Sequence, residues 1–293
     1  MSWLEYALIG GILFGLYFSL VGLGLNLIFG VMRIVNLAHG DLIMLGAFGA
    51  YWVFTLWGVS PMVGIPLEFV GFLLIGIPLY YLLVPRLLGT RDPEMLSFIL
   101  FFGVSQVIEA AATLGFGSTQ RSVPSSTLGI GTIGILGQAF PKPWIVAAGA
   151  GVLSILALYG YFYHTRYGYA TRAIMADRDE ALTTGINIHW VSAVAFAAGL
   201  CLAGLAGVFA PYMLGSIDPS IGVNLTTISF AIVVIGSLGN PLGTIIGGLV
   251  YGIALMLMET YLPSWSTLVP YLLLILIVLV KPAGLLGRSV RHA

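Results

Sequence analysis

Charge is what this sequence lacks most. Of its 293 residues, 8% are charged and 59% are hydrophobic, against roughly 25% charged in an average soluble domain. Mean hydropathy is +1.05. A soluble fold needs a wettable exterior, and a chain this apolar cannot supply one. The scarcity excludes a soluble enzyme, a nucleic-acid binder and a disordered tail, and it places most of the chain in lipid. Lys plus Arg and Asp plus Glu number 11 each, so the net charge is zero and its sign points to no partner. Cys201 is the only cysteine, which excludes an intrachain disulfide. No Gly-x-x-x-x-Gly-Lys-Ser/Thr loop is present, so the chain has no phosphate cradle with which to hydrolyse ATP. There is no His-Glu-x-x-His or Cys/His cluster, and His39, His164, His189 and His292 stand outside any ligand spacing. No metal or other bound cofactor is expected. A Gly-x-Ser-x-Gly elbow is also missing, so no catalytic residues are assigned.

What is present is glycine and long apolar runs. The 39 glycines are roughly twice the usual share, and small residues let membrane helices approach closely. A helix needs about 20 apolar residues to cross a core of about 30 Å. Candidate spans are Tyr6–Met32, Ile34 to about Trp57, Met62–Val84, Met95–Leu114, Trp144–Tyr163, Trp190–Met213, the uncharged run Val223–Met258, and about Tyr261–Val280. Alternating segments of β-barrel type are absent. The fold class is therefore an all-α polytopic membrane protein, a single domain over 1–293 with eight or nine transmembrane helices. The apolar stretch near the N-terminus has no basic region before it and is too long for a cleaved signal, so it is expected to remain in the mature protein.

The few charges set the orientation. Most of the Lys and Arg residues fall in three segments, 85–94 (Arg86, Arg91), 164–189 (Arg166, Arg172, Arg178) and 281–293 (Lys281, Arg288, Arg291). By the positive-inside rule these are cytoplasmic, the C-terminus included. The 115–143 connection, with Arg121 and Lys142 alone, is external. As one helix, Val223–Met258 would be about 54 Å long, too long for one crossing. It is interrupted by Gly236-Ser-Leu-Gly-Asn-Pro241, a turn signal. Crossing parity allows the broken stretch zero or two crossings, and a helical hairpin bent at Asn240-Pro241 is expected. The stretch 32–41, Met-Arg-Ile-Val-Asn-Leu-Ala-His-Gly-Asp, is a comparable break in the first half. Aligning 36–51 with 237–252 matches Leu37/Leu238 and Gly46/Gly247 alone, which establishes no repeat. Broken helices at membrane depth mark a pathway when their freed backbone lines a wet cavity. The alternative is that both breaks are interfacial loops.

Ionisable groups inside a membrane are functional candidates. Asp41, beside His39 and Gly40, lines a pathway, caps the following helix, or does both. Arg33 either pairs with Asp41 or faces the cytoplasm. Glu68, Glu109 and Glu259 lie near the ends of their spans, where headgroup-level or bundle-interior hydrogen bonding explains them. The most structured polar segment is 164–189, in which Ala173, Ala176 and Ala181 can share one flank of a short helix that stops at Gly185. Such a small-residue face fits a groove on a soluble partner; a solvated linker helix is the alternative.

At this segment the sequence resembles the branched-chain amino-acid ABC importer permeases. Arg172-Ala-x-x-x-Asp177-x-x-x-Ala181-x-x-x-Gly185-Ile186-Asn187 is similar to the family's coupling segment. Asn36-Leu37-Ala38-His39-Gly40-Asp41, with Ala47 and Tyr51, resembles its Asn-(Phe/Leu)-Ala-His-Gly-(Glu/Asp) motif. Gly236-Ser-Leu-Gly-Asn-Pro-Leu-Gly243 with Gly247-Gly248 resembles its glycine signature, and Val280-Lys-Pro-Ala-Gly-Leu-Leu-Gly287 its closing motif. The first of these motifs favours the LivH-like branch. The chain departs from the pattern at Gly236-Ser237, where the family often has Gly-Gly, and in its short, weakly basic 85–94 loop.

The resemblance implies half of an importer in a bacterial inner membrane. A second permease subunit of the LivM-like kind would complete the pathway, two cytoplasmic ATP-binding subunits would use the ATP, and a periplasmic substrate-binding protein would deliver the cargo. It implies pathway roles for Asn36, His39, Gly40, Asp41, Gly239, Asn240 and Pro241. It implies ATPase coupling through Arg172, Ala173, Ala176, Asp177, Glu180, Ala181 and Gly185. Branched-chain or hydrophobic amino acids are the implied cargo; relatives that serve urea, amides or aromatic acids are the alternative. A stand-alone ion- or proton-driven carrier is the rival from another class, and for it Asp41 alone stands as a mid-membrane charge.

Overall fold

The computed structural model describes residues 3–287; Arg288, Arg291 and His292 lie outside them. The chain begins with α1 (Trp3–Met32), followed after a non-helical stretch by α2 (His39–Trp57). Gly58, left-handed at φ 65°, ends α2 by donating its N–H to Phe54 O, a glycine stop. A 3-10 turn at Pro61–Gly64 leads into α3 (Ile65–Leu88), and α4 (Pro93–Phe116) follows. Asp92 caps α4 by accepting from Met95 N–H at 3.1 Å. The long connection contains a small hairpin that the apolar spans did not foreshadow, β1 (Thr132–Ile135) paired antiparallel with β2 (Gln138–Pro141). Leu136 and Gly137 turn it with φ of 50° and 80°, the two-residue geometry that matches strand twist.

Next come α5 (Lys142–His164), α6 (Arg166–Ala176), α7 (Arg178–Thr183) and α8 (Ile188–Leu214). The expected hairpin forms as α9 (Ile221–Gly236) and α10 (Pro241–Tyr261), and a 3-10 turn precedes α11 (Val269–Val280). Among the described residues, eight helices, two of them counted with their preceding 3-10 turns, are long and apolar enough to cross a membrane, and α9 is a shorter apolar helix. This is a polytopic all-α membrane fold.

Two helices make the core. The most apolar windows of α1 and α8 are 83% and 78% buried, against 22% for α3 and α4, so the latter form the rim. Glycine allows the close contacts. A Cβ on Gly252 of α10 would stand 2.3 Å from Gly15 N of α1, and one on Gly248 2.3 Å from Ser19 Oγ. A Cβ on Gly24 of α1 would meet Gly199 O of α8 at 2.4 Å, and one on Gly46 of α2 would meet Gly204 O at 2.5 Å. In lipid, where apolar side chains gain little by leaving solvent, such backbone proximity is what packs helices. Gly252→Leu, which overfills this contact by about 1–3 kcal/mol, is expected to lower the unfolding temperature in detergent by about 5 °C. An unchanged melting curve would contradict the contact.

The bundle has two distinct ends. At one, Tyr6 stacks on Phe140 of the hairpin with centroids 5.1 Å apart, Arg121 donates to Tyr51 Oη at 3.2 Å, and Thr127 bonds Tyr212. At the other, a Cβ on Gly30 would lie 2.6 Å from Met175 Cε and 3.2 Å from Gly239 Cα, and Leu285 N–H donates to Ile235 O at 2.8 Å. A cleft there joins Arg33, Leu88 and Asp177–Asp179. The 164–189 segment, the close of α3 and the C-terminal segment thus converge on one end, as their shared basic character led us to expect.

Candidate functional site

The first break is built against three helices. α1 stops at Met32 because Arg33 is left-handed, at φ 53°, with its N–H bonded to Phe29 O at 2.7 Å. Residues 33–38 then run without helix back into the bundle. Val35 N–H donates to Ser97 Oγ of α4 at 3.1 Å. Asn36 turns the chain, accepting from Ala38 N–H through Oδ1 at 3.1 Å and from His39 N–H through its carbonyl at 3.2 Å. His39 Nε2 lies 3.0 Å from Val21 O. Val21 is about 16 Å along α1 from Met32, close to half of a 30 Å hydrocarbon core. The break therefore re-enters the bundle, and α2 begins about 16 Å inside it along α1.

Backbone at that depth must be satisfied by protein, and α9 does this. Gly40 N–H donates to Thr226 Oγ1 at 2.9 Å, and that hydroxyl donates to Leu37 O at 3.0 Å. Gly40 permits the approach: a Cβ there would meet Gly222 O at 2.0 Å. Asn36, His39 and Asp41 are each 1% exposed or less. Among the described residues, Asn36 Nδ2 and His39 Nδ1 are buried without a hydrogen-bond partner, and the buried Asp41 carboxylate is met by the Ser105 side chain of α4 alone. Unpaired buried polar groups are costly, so this cluster marks the turn as more than packing.

Asp41 is not the N-cap residue of α2, and its place in the first turn leaves the helix-end and pathway readings standing together. Ala38 occupies the cap position with no side-chain bond, and Asp41 sits within the first turn, where the helix dipole favours a carboxylate. Arg33 does not pair with it, since its side chain is exposed beside Asp177–Asp179 at the bundle end. Asp41 instead has Ser105 and Glu109 of α4 as polar neighbours. Glu109 is half-buried on α4 within electrostatic reach of Asp41, which fits the bundle-interior reading of that residue. Glu68 is half-buried against Gly49, and among the described residues its buried carboxylate oxygens have no hydrogen-bond partner; Glu259 is exposed.

The second break stays at the bundle end. Ser237 and Gly239 have φ of 127° and 77°, and Asn240 caps α10 by accepting from Leu242 and Gly243 N–H at 3.1 and 3.3 Å, with Pro241 in the first turn. Asn26 of α1 fastens it, accepting from Gly239 N–H at 2.6 Å while donating to Thr244 Oγ1 at 2.6 Å. The two breaks are not brought into one pocket. They share α1, which holds the first at Val21 and the second at Asn26.

The 164–189 segment differs from the expected single helix. Asp177, extended at φ −152°, separates α6 from α7 and caps α7 by accepting from Asp179 and Glu180 N–H at 2.9 Å each. Ala173, Ala176 and Ala181 therefore share no flank: Ala181 is buried, Ala173 half-buried and Ala176 exposed. Arg172 turns back onto Tyr163, 4.4 Å from its ring centroid. The exposed face is Ala176, Asp177, Asp179, Glu180 and Leu182, and Gly185 ends it at φ 80°. Asn26, Ser97, Ser105, Thr226 and Thr244 escaped sequence reading because a search for charge passes over neutral polar residues. For Asn26, Ser97 and Thr244 the signal is a lone polar residue between apolar neighbours, whereas Ser105 and Thr226 stand beside Gln106 and Thr227.

Comparison with known proteins adds three findings. The family model described as "Branched-chain amino acid transport system / permease component" matches residues 7–278. The chain is 29% identical to the high-affinity branched-chain amino acid transport system permease protein LivH of Escherichia coli K12, over 95% of this chain and 94% of that one. It is 27% identical to the probable LivH permease of Methanocaldococcus jannaschii, over 95% and 91%, and 26% identical to the BraD permease of Pseudomonas aeruginosa, over 96% and 95%. No solved structure matches.

Proposed function

The chain belongs to the branched-chain amino acid transport permease family, and on that footing we propose that it is one half of the membrane pathway of an ATP-driven importer. The observation that carries this reading is a family match over nearly the whole chain, together with relatives of equal span that are named as permease proteins. The chain acts as a transport subunit in a single permease domain and binds no cofactor of its own. A second permease completes the pathway, two ATP-binding subunits hydrolyse the ATP, and an extracytoplasmic binding protein brings the cargo. The end bearing α6 and α7 faces the cytoplasm of an inner-membrane system, with the C-terminus on the same side. Branched-chain and other hydrophobic amino acids are the cargo.

The contacts suggest how force would travel. The ATPases press on Ala176, Asp177, Glu180 and their exposed neighbours. Met175 bears on Gly30 at the close of α1, and Gly30 also faces Gly239. Movement of that end displaces the re-entrant turn at Asn36–Asp41 and the Gly239-Asn240-Pro241 break together. Arg172 and Ala181 act inside the segment, one packed on tyrosine and the other buried, and Ala173 and Gly185 shape it. Coupling requires that the ATPases favour one arrangement of these breaks over the other.

Uptake of labelled leucine by the reconstituted assembly tests the proposal. Competition by isoleucine and valine is expected; competition by urea with none by valine would overturn the cargo assignment. In the same assay Asp41→Asn is expected to cut uptake about tenfold, as for removal of an ionisable group from the pathway, while Glu259→Gln leaves it near wild type. Equal effects would remove Asp41 from the pathway.

A further inference from the structure

A groove of about 300 Å³ opens between α1, α5 and the start of α10, with Leu23, Ile155, Leu158 and Ile245 among its walls. Tyr163, Arg172 and Asn240 line its polar end. We propose that this groove binds an anionic phospholipid from the leaflet at the basic end of the bundle, with the phosphate on Arg172 and an acyl chain along the apolar walls.

The charge argument comes first. Arg172 is the one charged residue lining the groove. Its guanidinium lies 4.4 Å from the Tyr163 ring centroid and 5.1 Å from that of Tyr169. Rings attract the cation but accept no in-plane hydrogen bond. Its Nε is buried with no acceptor, and among the described residues no carboxylate or carbonyl is bonded to any of its nitrogens. A guanidinium has five N–H donors in a fork that matches phosphate. This one is half-buried, without a counter-ion, at the level where headgroups lie.

Shape and position agree. Leu23 lies about 13 Å along α1 from its close at Met32, which is near the depth of one leaflet of a 30 Å core. The groove therefore runs from headgroup level towards the bilayer middle, as a lipid chain does. Its rim is exposed at Tyr159, Tyr163 and Leu242, so a lipid enters sideways. The phosphate joins two moving parts, since Arg172 belongs to α6 and Asn240 caps α10 at the second break. An anionic lipid seated here ties the coupling segment to that break.

Native mass spectrometry of the purified full chain, given equimolar phosphatidylglycerol and phosphatidylcholine of the same chains, tests this. Wild type is expected to retain phosphatidylglycerol in preference, and Arg172→Gln to lose that preference about tenfold, as for one charge-assisted contact. Ile155→Trp, which fills the slot without touching the charge, is expected to lose the retained lipid. Equal retention of the two lipids by wild type overturns the proposal and needs no variant. So does unchanged preference in Arg172→Gln, or unchanged retention in Ile155→Trp. A Tyr159→Cys chain that crosslinks to another permease subunit in the assembled transporter also overturns it, because the groove is then a subunit interface; Cys201 is buried and does not interfere.

Discussion

Gly40→Val is expected to reduce ATP-driven uptake about a hundredfold, to background, while the protein remains folded in the membrane. Any Cβ at Gly40 runs into α9, with Gly222 O at 2.0 Å, Thr226 N at 2.3 Å and Thr226 Oγ1 at 2.6 Å. Two of these atoms are backbone and cannot move aside. The substitution also breaks the relay from Gly40 N–H through the Thr226 hydroxyl to Leu37 O. Overpacking of this kind costs about 3 kcal/mol, and about 3 kcal/mol in the balance of two pathway states is roughly a hundredfold. The contacts of α1 with α8 and α10 lie elsewhere, so the fold survives. Uptake per folded molecule, from proteoliposomes and a size-exclusion trace, checks it. Normal uptake would show that the α2–α9 contact takes no part in transport.

The second large effect is at the opposite end of the chain of contacts. Ala176→Glu is expected to remove cargo-stimulated ATP hydrolysis from the assembled transporter. Ala176 is exposed at the last turn of α6, next to Asp177 and near Asp179 and Glu180. A further carboxylate there costs the isolated chain within about 0.5 kcal/mol, because Ala176 is exposed. Any large loss must therefore come from a docked partner. Stimulated hydrolysis at the wild-type rate would place the ATPase contact elsewhere.

Legibility from sequence followed the physics of each feature. The spans were readable because uncharged apolar runs of bilayer length are stable chiefly in lipid, and the hairpin at Asn240-Pro241 followed from length and parity. α9 and α10 turn there. The re-entrant depth of 33–38 was not readable. It is set by bonds to Val21, Ser97 and Thr226, which are distant in sequence, and all three of those partners carry no charge or motif. The break at Asp177 was misread because alanine spacing favours one continuous helix, whereas Asp177 spends its side chain capping a new one. Arg172 enters the coupling set on motif position alone, and its stacking on Tyr163 of α5 is a contact between residues that no spacing rule joins.

The most direct measurement is leucine uptake into proteoliposomes holding this chain and its partner permease, with and without the two ATP-binding subunits. The chain has no phosphate loop and few mid-membrane charges, so uptake is expected only when the ATP-binding subunits, ATP and the binding protein are all present. Uptake by the permease pair alone, driven by an ion or proton gradient without ATP, would contradict that dependence and make the chain a carrier in its own right.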